Sequence, residues 1–248
     1  MRFAGISAIF LDYDGVLNDI EAAQPKWRRL VGEFFPGRLG GSPEAWRLAN
    51  RQIFPGVYER SVARLAAQAG SHLDMPSEMD VYKLDWLRSM CAIVGVASPL
   101  ETECLALARE AHAWIIPQVA SPFPGVPGII AGLASQHTLF TASNGLSGEL
   151  AVTLQSMAIS PYFRRLYGSD LVHTFKFSPA YYERVFEHAG VKPDEALVLD
   201  DNPSCVMWAR QAGAQAVLVS RDAGMQEGDV ARISGLGDLP GLLGITAG

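Results

Sequence analysis

Ile6-Ser7-Ala8-Ile9-Phe10-Leu11-Asp12-Tyr13-Asp14-Gly15 is the stretch on which the fold is read. Apolar side chains run almost without a break to Leu11 and stop at two aspartates and a glycine. A short apolar run bounded by turn residues suits a strand buried on both faces of a parallel sheet. Three later runs share the pattern: Thr138 to Ala142 ends at Ser143-Asn144-Gly145, Ala196 to Leu199 at Asp200-Asp201-Asn202, and Ala216 to Val219 at Ser220-Arg221-Asp222. Between them, Glu149 to Met157, Pro179 to Ala189 and Pro203 to Ala212 read as helices. Strand and helix in alternation predict an α/β fold with a Rossmann-like parallel sheet. Ligands of such sheets bind at the carboxyl ends of the strands, where these runs place Asp, Ser and Asn.

Residues 20–116 read differently, with many helix formers and no comparable β-branched runs. Ser42-Pro43-Glu44 marks a helix start, and Ser98-Pro99-Leu100-Glu101 spells a capping box. Gly70 is read as the end of a helix over 57–69. The region is therefore an all-helical domain inserted into the sheet domain, which takes residues 1–19 and 117–248. The linkers are expected near Asp19 to Pro25 and over Pro117 to Pro127, the latter with four prolines. The glycine-rich tail after Gly224 is read as a surface finish with one weak helix.

Composition narrows the function classes. Of 248 residues, 49% are hydrophobic and 19% charged, which excludes a disordered chain. No apolar run reaches the roughly 18 residues of a membrane span. A formal net charge of −6 argues against nucleic acid and anionic membrane as partners. Three widely spaced cysteines form neither a zinc pattern nor an even set. With a start that Asp12 and Asp14 interrupt as a signal peptide, the chain is read as cytoplasmic.

Four polar features follow the strands or open a helix: Asp12 with Asp14, Ser143 with Asn144, Lys176, and Asp200 with Asp201. Singly, each is most simply a turn, a cap or a surface charge. Together they fit one chemistry. Carboxylates at strand ends are hard oxygen ligands that suit Mg²⁺. A lysine, a hydroxyl and nearby backbone N–H groups suit phosphoryl oxygens. An aspartate can then attack phosphorus while a second carboxylic acid protonates the leaving oxygen.

This ordered set resembles the haloacid dehalogenase superfamily, from Phe10 to Val219 with most of the insertion aside. The resemblance rests on Phe10-Leu11-Asp12-Tyr13-Asp14-Gly15-Val16-Leu17-Asn18-Asp19, Leu139-Phe140-Thr141-Ala142-Ser143-Asn144-Gly145, Lys176-Phe177-Ser178-Pro179 and Val198-Leu199-Asp200-Asp201-Asn202. It implies that Asp12 is the nucleophile and a metal ligand. Asp14 would be the general acid/base, giving the metal its backbone carbonyl. Ser143, Asn144 and Lys176 would contact the phosphoryl group, with Thr141 the alternative register to Ser143. Asp201 would ligate Mg²⁺ directly, Asp200 directly or through water. Phe177 stands where family members usually carry a proline, which weakens the turn's rigidity but not its charge. Members that cleave carbon–halogen or carbon–phosphorus bonds lack an aspartate at the place of Asp14, so its presence favours phosphate esters. The insertion resembles the family's mobile helical cap, whose closure excludes water.

These features imply a phosphatase of a small phosphorylated metabolite, working through an aspartyl-phosphate as a monomer or homodimer. The alternatives are a sugar phosphomutase of the same superfamily and a non-catalytic phospho-acceptor. Trp27, Trp46, Trp86 and Trp114 are expected to pack the insertion's own core, or to line a substrate cleft. Arg47/Arg51 and Arg60/Arg64 are read as a solvated face, or as a second anion subsite.

Overall fold

The structure, a computed structural model, describes residue 3 and residues 5–68, 72–221 and 230–244. Its sheet has six parallel strands in the order β3-β2-β1-β4-β5-β6. They are β1 (Ala8–Leu11), β2 (Thr138–Ala142), β3 (Phe163–Tyr167), β4 (Ala196–Asp200), β5 (Gln215–Val219) and β6 (Ala231–Ile233). The expected α/β class with a Rossmann-like sheet is thus present.

Both faces of the sheet are buried, which explains the continuous apolar runs. Phe10, Phe140, Val198 and Leu218 point to one face, where they meet Tyr182, Val185, Phe186, Val206 and Ala209. The alternate residues Ile9, Leu11, Leu139, Leu197, Leu199, Val217 and Val219 are buried as well. Phe10 pairs in register with Phe140, and their rings stack at 4.8 Å. The edge of Phe186 closes on the same ring at 5.1 Å.

The helices in chain order are α1 (Ile20–Phe34), α2 (Pro36–Leu39), α3 (Pro43–Ala66), α4 (Met75–Val94), α5 (Glu101–Val119), α6 (Val126–Ala134), α7 (Ser147–Ser156), α8 (Pro179–Ala189), α9 (Pro203–Gln211) and α10 (Leu239–Leu243). Contacts divide the chain into a sheet unit, residues 1–20 and 121–248, and a helical unit, residues 21–120. Both expected linkers are shorter than the sequence suggests. Pro25 lies inside α1 and Pro117 inside α5. Each proline removes a single backbone hydrogen bond near a helix end, while buried Ala23 and Ile115 anchor those turns.

The helical unit packs around Phe34, Phe35, Trp46, Trp86, Leu87, Met90 and Ile115. Trp46 stacks on Phe35 at 4.7 Å and donates its indole N–H to the Gly40 carbonyl at 2.8 Å. Trp114 is 40% exposed beside Phe34. The tryptophans are therefore largely core residues. Ser42 caps α3 as expected, accepting the Ala45 N–H at 3.1 Å. The capping box at Ser98 is absent, because the helix starts at Glu101 after an extended Leu100 and the Ser98 hydroxyl turns to the Pro99 carbonyl. Gly70 lies outside the described residues.

Three of the four arginines in the two pairs are committed to acids. Arg60 makes a two-pronged bond to Asp85 at 3.0 and 3.1 Å, Arg64 reaches Glu78 at 2.7 Å, and Arg47 reaches Glu44 at 3.2 Å. These three guanidiniums are matched by acids, which favours the solvated-face reading for them. No helix among the described residues is long and apolar enough to cross a membrane.

In the helical core, the Trp86 indole N–H donates to Asn50 Oδ1 at 2.9 Å, with both residues buried. Asn50→Ala leaves that donor unpaired and should cost about 1–3 kcal/mol in chemical denaturation. The cost should shrink when Trp86→Phe has already removed the donor. Additive losses in the double variant would show that the bond contributes nothing.

Candidate active site

The strand order reverses at β1: the chain adds β2 and β3 on one side of it, then crosses to β4 and β5 on the other. Such a switch point opens a crevice at the carboxyl ends of the central strands. Asp12 follows β1 there and is fixed by its N–H donating to the Leu199 carbonyl of β4 at 2.9 Å. Asp200 ends β4, and Ser143 and Asn144 follow β2.

Lys176 ties these ends together. Its Nζ lies 3.0 Å from Asp12 Oδ1, 2.7 Å from Asp200 Oδ2 and 3.0 Å from the Ala142 carbonyl. An ammonium has three N–H donors, and all three are used. The lysine is 4% exposed and Asp200 1%, so this is a buried ion network. Asp12 and Asp200 raise the Lys176 value well above the ordinary one, outweighing the burial that acts against its charge.

The loop before α8 is held by Asn144, whose Oδ1 accepts the Lys176 backbone N–H at 2.7 Å. That leaves the Asn144 Nδ2 group as a donor. At Phe177 the backbone N–H donates to the Phe175 carbonyl at 2.8 Å, a bond that proline could not make. The turn is thus closed by a hydrogen bond where the family usually relies on a ring.

Ser143 Oγ accepts the Gly145 N–H at 3.2 Å and keeps its own proton to donate. Thr141 is fully buried and donates to the Tyr167 carbonyl at 3.1 Å, so Ser143 is the residue at the strand end. Asp14 remains open to solvent and accepts Asn18 Nδ2 at 2.9 Å. Its carboxyl stands above the ordinary value because surrounding protein displaces part of its water, with Asn18 and Lys176 acting in the opposite sense.

Carboxylate oxygens of Asp12, Asp200 and Asp201 all lie within 4.8 Å of one another. Burial pushes the Asp12 carboxyl up despite Lys176, and Asp200 and Asp201 push the same way. Burial and then Asp200 raise Asp201 to about 6. Oxygen donors at this spacing, with one lysine among them, fit a hard divalent cation. Asp200 is the most occupied of the three: Oδ2 takes Lys176 and the Tyr182 hydroxyl at 3.3 Å, and Oδ1 takes the Asn202 N–H at 2.9 Å.

The tyrosines are functional neighbours that sequence reasoning missed. Tyr181 donates to the Ser143 carbonyl at 3.1 Å, and both rings come from the first turn of α8. Their spacing after Lys176 was visible, but nothing in it distinguished them from ordinary core aromatics. His112 lies in the helical unit with its ring edge-on to Trp86 at 4.8 Å. Burial pushes it down to about 3, with Lys83 adding to the effect.

A family model for haloacid dehalogenase-like hydrolases matches residues 6–237. The chain belongs to that family. It is also similar to a Pseudomonas putida protein named "Probable phosphoglycolate phosphatase", 33% identical over 50% of this chain and 49% of the relative. A Caulobacter vibrioides phosphoglycolate phosphatase is 28% identical over 41% of this chain and 43% of its own. The chain thus spans about half or less of the curated relatives it matches. Among solved structures, an L-2-haloacid dehalogenase from Xanthobacter autotrophicus has a TM-score of 0.68 at 22% identity, covering 98% of this chain and 100% of its own. That likeness is one of fold.

Two outcomes follow from this geometry. Gly15 has φ +75°, and a Cβ there would run into the Asp201 carboxylate. Gly15→Ala should therefore cost about 1–3 kcal/mol in chemical denaturation, and a neutral effect would show that the turn is not constrained. The second concerns pH. Carboxyls raised in the folded state hold protons there that the unfolded chain has lost, so above the ordinary value of 3.8 stability declines as pH rises through about 6 for Asp201. His112, held neutral, acts in the opposite direction between about 3 and 6.5. In a chelator, Asp201→Asn should gain stability over the parent protein as pH rises from about 5 to about 7.5. A constant difference in thermal midpoint would show that Asp201 does not titrate there.

Proposed function

We propose that the protein is a Mg²⁺-dependent phosphatase of small phosphorylated metabolites that works through an aspartyl-phosphate on Asp12. The observation that carries this reading is the state of Asp12: it is 9% exposed, its Oδ1 lies 3.0 Å from Lys176 Nζ, its Oδ2 accepts no hydrogen bond from the described residues, and Asp14 stands two residues on. A hydrolase of this family needs a nucleophile fixed by one oxygen and available through the other.

Asp12 Oδ2 attacks phosphorus, and the bond from phosphorus to the ester oxygen breaks. Asp14, whose carboxyl burial raises above its ordinary value, gives its proton to that oxygen. Water then attacks the phosphoryl group, Asp14 takes up a proton from it, and the bond to Asp12 breaks to release phosphate. Ser143 Oγ–H, Asn144 Nδ2 and the Asn144 backbone N–H are the donors for the phosphoryl oxygens, the Ser143 and Gly145 N–H groups being already engaged. With its three donors engaged, Lys176 acts by orienting Asp12 and offsetting its charge. Asp12 and Asp201 would hold Mg²⁺, with Asp200 supporting them. The bound cation would supply positive charge that keeps Asp12 ionised and reduces its repulsion toward a phosphate dianion.

The presence of Asp14 supports phosphate esters over carbon–halogen substrates. The named activity of the Caulobacter vibrioides relative supports a short phosphorylated acid such as phosphoglycolate. We assign substrate selection to the helical unit, in the role of a cap. Cys91, Cys104 and Cys205 are buried and unpaired, which supports a cytoplasmic setting.

A panel of phosphorylated short acids, sugars and nucleotides, assayed for free phosphate with and without Mg²⁺, tests this reading. Release should require Mg²⁺ and stop with a chelator. Asp12→Asn should lower turnover by at least ~10³-fold with the fold kept, and Asp14→Asn by about 10²–10⁴-fold. Full turnover in Asp12→Asn would refute the covalent route, and isomer formation without phosphate release would identify a mutase.

A further inference from the structure

Strand β3 is an edge of the sheet, and its pairing with β2 is irregular. Leu139 pairs with Phe163 but the next residue, Phe140, pairs with Arg165, so Arg164 is an extra residue in the ladder. Consecutive side chains of a regular strand point to opposite faces, and a bulge breaks that alternation. Here it brings Arg164 and Arg165 to the same recess, a cavity of about 310 Å³ lined by Phe140, Arg164, Arg165, Tyr167, His188 and Ala189.

The recess has an aromatic floor and a rim of donors. Phe140 and Tyr167 are 2% and 1% exposed, whereas both arginines and His188 are exposed. The Tyr167 hydroxyl and Arg165 Nη1 converge on His188 Nδ1 at 3.0 and 3.1 Å. Arginine can only donate, so Nδ1 is the acceptor and the proton of the neutral ring sits on Nε2. The rim therefore offers two guanidinium groups and an imidazole N–H, while the phenol proton is spent on His188 Nδ1.

Among the described residues, no carboxylate lines the recess. In a chain of net charge −6, Arg29, Arg38, Arg47, Arg60, Arg64, Arg88 and Arg109 each pair with an acid. Among the described residues, Arg164 and Arg165 pair with no acid; Arg28, Arg51, Arg184, Arg210 and Arg221 also pair with none, but only Arg164 and Arg165 are adjacent in the chain. Neighbouring guanidiniums without a counter-ion, beside further donors, make a site for an oxyanion.

We propose that this recess is a second anion site, taking a phosphate-type oxyanion as free phosphate or as a phosphomonoester. It is separate from the carboxylate cluster: Tyr181 and Tyr182 reach that cluster from the start of α8, and His188 lies about 10 Å further along the same helix.

The test follows His188 and Tyr167 ring resonances by NMR in the full chain, titrated with inorganic phosphate and, separately, methyl phosphate at constant ionic strength. Saturable shifts are expected. Arg164→Gln/Arg165→Gln should weaken binding about tenfold or more while phosphatase turnover stays at the parental rate. Tighter binding of methyl phosphate identifies a monoester site; equal or weaker binding identifies a free-anion site. Should the double variant fail to fold, His188→Gln should weaken binding by several fold. Rings that do not move, shifts reproduced by chloride, or unchanged affinity in a folded variant would overturn the proposal. So would a double variant that changes only the oligomeric state, because the arginines would then serve the strand edge alone.

Discussion

One buried ammonium group holds the active-site end of the sheet together. Asp12 and Asp200 sit on adjacent strands, and two buried carboxylates so close would oppose each other's ionisation. Lys176 lies between them and also takes the carbonyl at the end of β2. Its ion pairs thus link the ends of β1, β2 and β4 through a single atom. Losing either partner would strand a charge in the interior, a cost that buried pairs impose far more heavily than surface ones. The loop that delivers the lysine is built to match, with Asn144 holding its backbone and the first turn of α8 bringing Tyr182 to the same Asp200 oxygen. The surface ion pairs of the helical unit carry no comparable burden.

The same constraint explains where a hundred-residue insertion is tolerated. The chain leaves the sheet unit just after the acidic turn and returns close to its point of exit. The Asp19 N–H donates to the Ser121 carbonyl at 2.7 Å, the Ser121 N–H to Asn18 Oδ1 at 2.8 Å, and the Phe123 N–H to the Leu17 carbonyl at 3.2 Å. Asn18 also donates to Asp14. The exit and return are therefore pinned by the turn that carries the candidate acid. Lengthening a connection whose ends are already joined costs little entropy, so the helical unit can be large without loosening β1.

What was legible in the sequence follows from burial. Strands β1, β2, β4 and β5 are covered on both faces and read as apolar runs that end in polar residues. The edge strands did not read that way. Phe163-Arg164-Arg165-Leu166-Tyr167 puts charge in the middle of β3, and β6 has three residues, too few for any period. Prolines misled at both linkers, because Pro25 and Pro117 sit where a helix survives the loss of one hydrogen bond. Helix α6 was hidden for a related reason: Pro127 occupies its first turn, where proline fits, and the preceding prolines made the segment look like a linker. At the site, Asp12, Asp14, Ser143, Asn144, Lys176, Asp200 and Asp201 were visible as strand-end or helix-start polar groups. Tyr181 and Tyr182 were not, because an aromatic in a helix does not announce which oxygen its hydroxyl meets.

Charge arithmetic separates the roles of the acidic residues further. Asp12, Asp200 and Asp201 present three carboxylates to one ammonium, which leaves two negative charges when all are ionised. Burial alone settles that excess by raising the carboxyl values, and this is the direction found for Asp12 and Asp201. A divalent cation would settle it in the other way, matching the excess and returning Asp12 to the anion that a nucleophile must be. Asp201 is the natural residue to meet such an ion. It is the exposed member of the three and makes no ion pair with Lys176, whereas both Asp200 oxygens are already engaged. The glycine whose missing Cβ makes room for the Asp201 carboxylate belongs to the turn of Asp12 and Asp14, so one short segment sets the places of the Asp12, Asp14 and Asp201 carboxylates. The overall charge of −6 therefore says little about what the site attracts; the local balance of three acids against one lysine decides it.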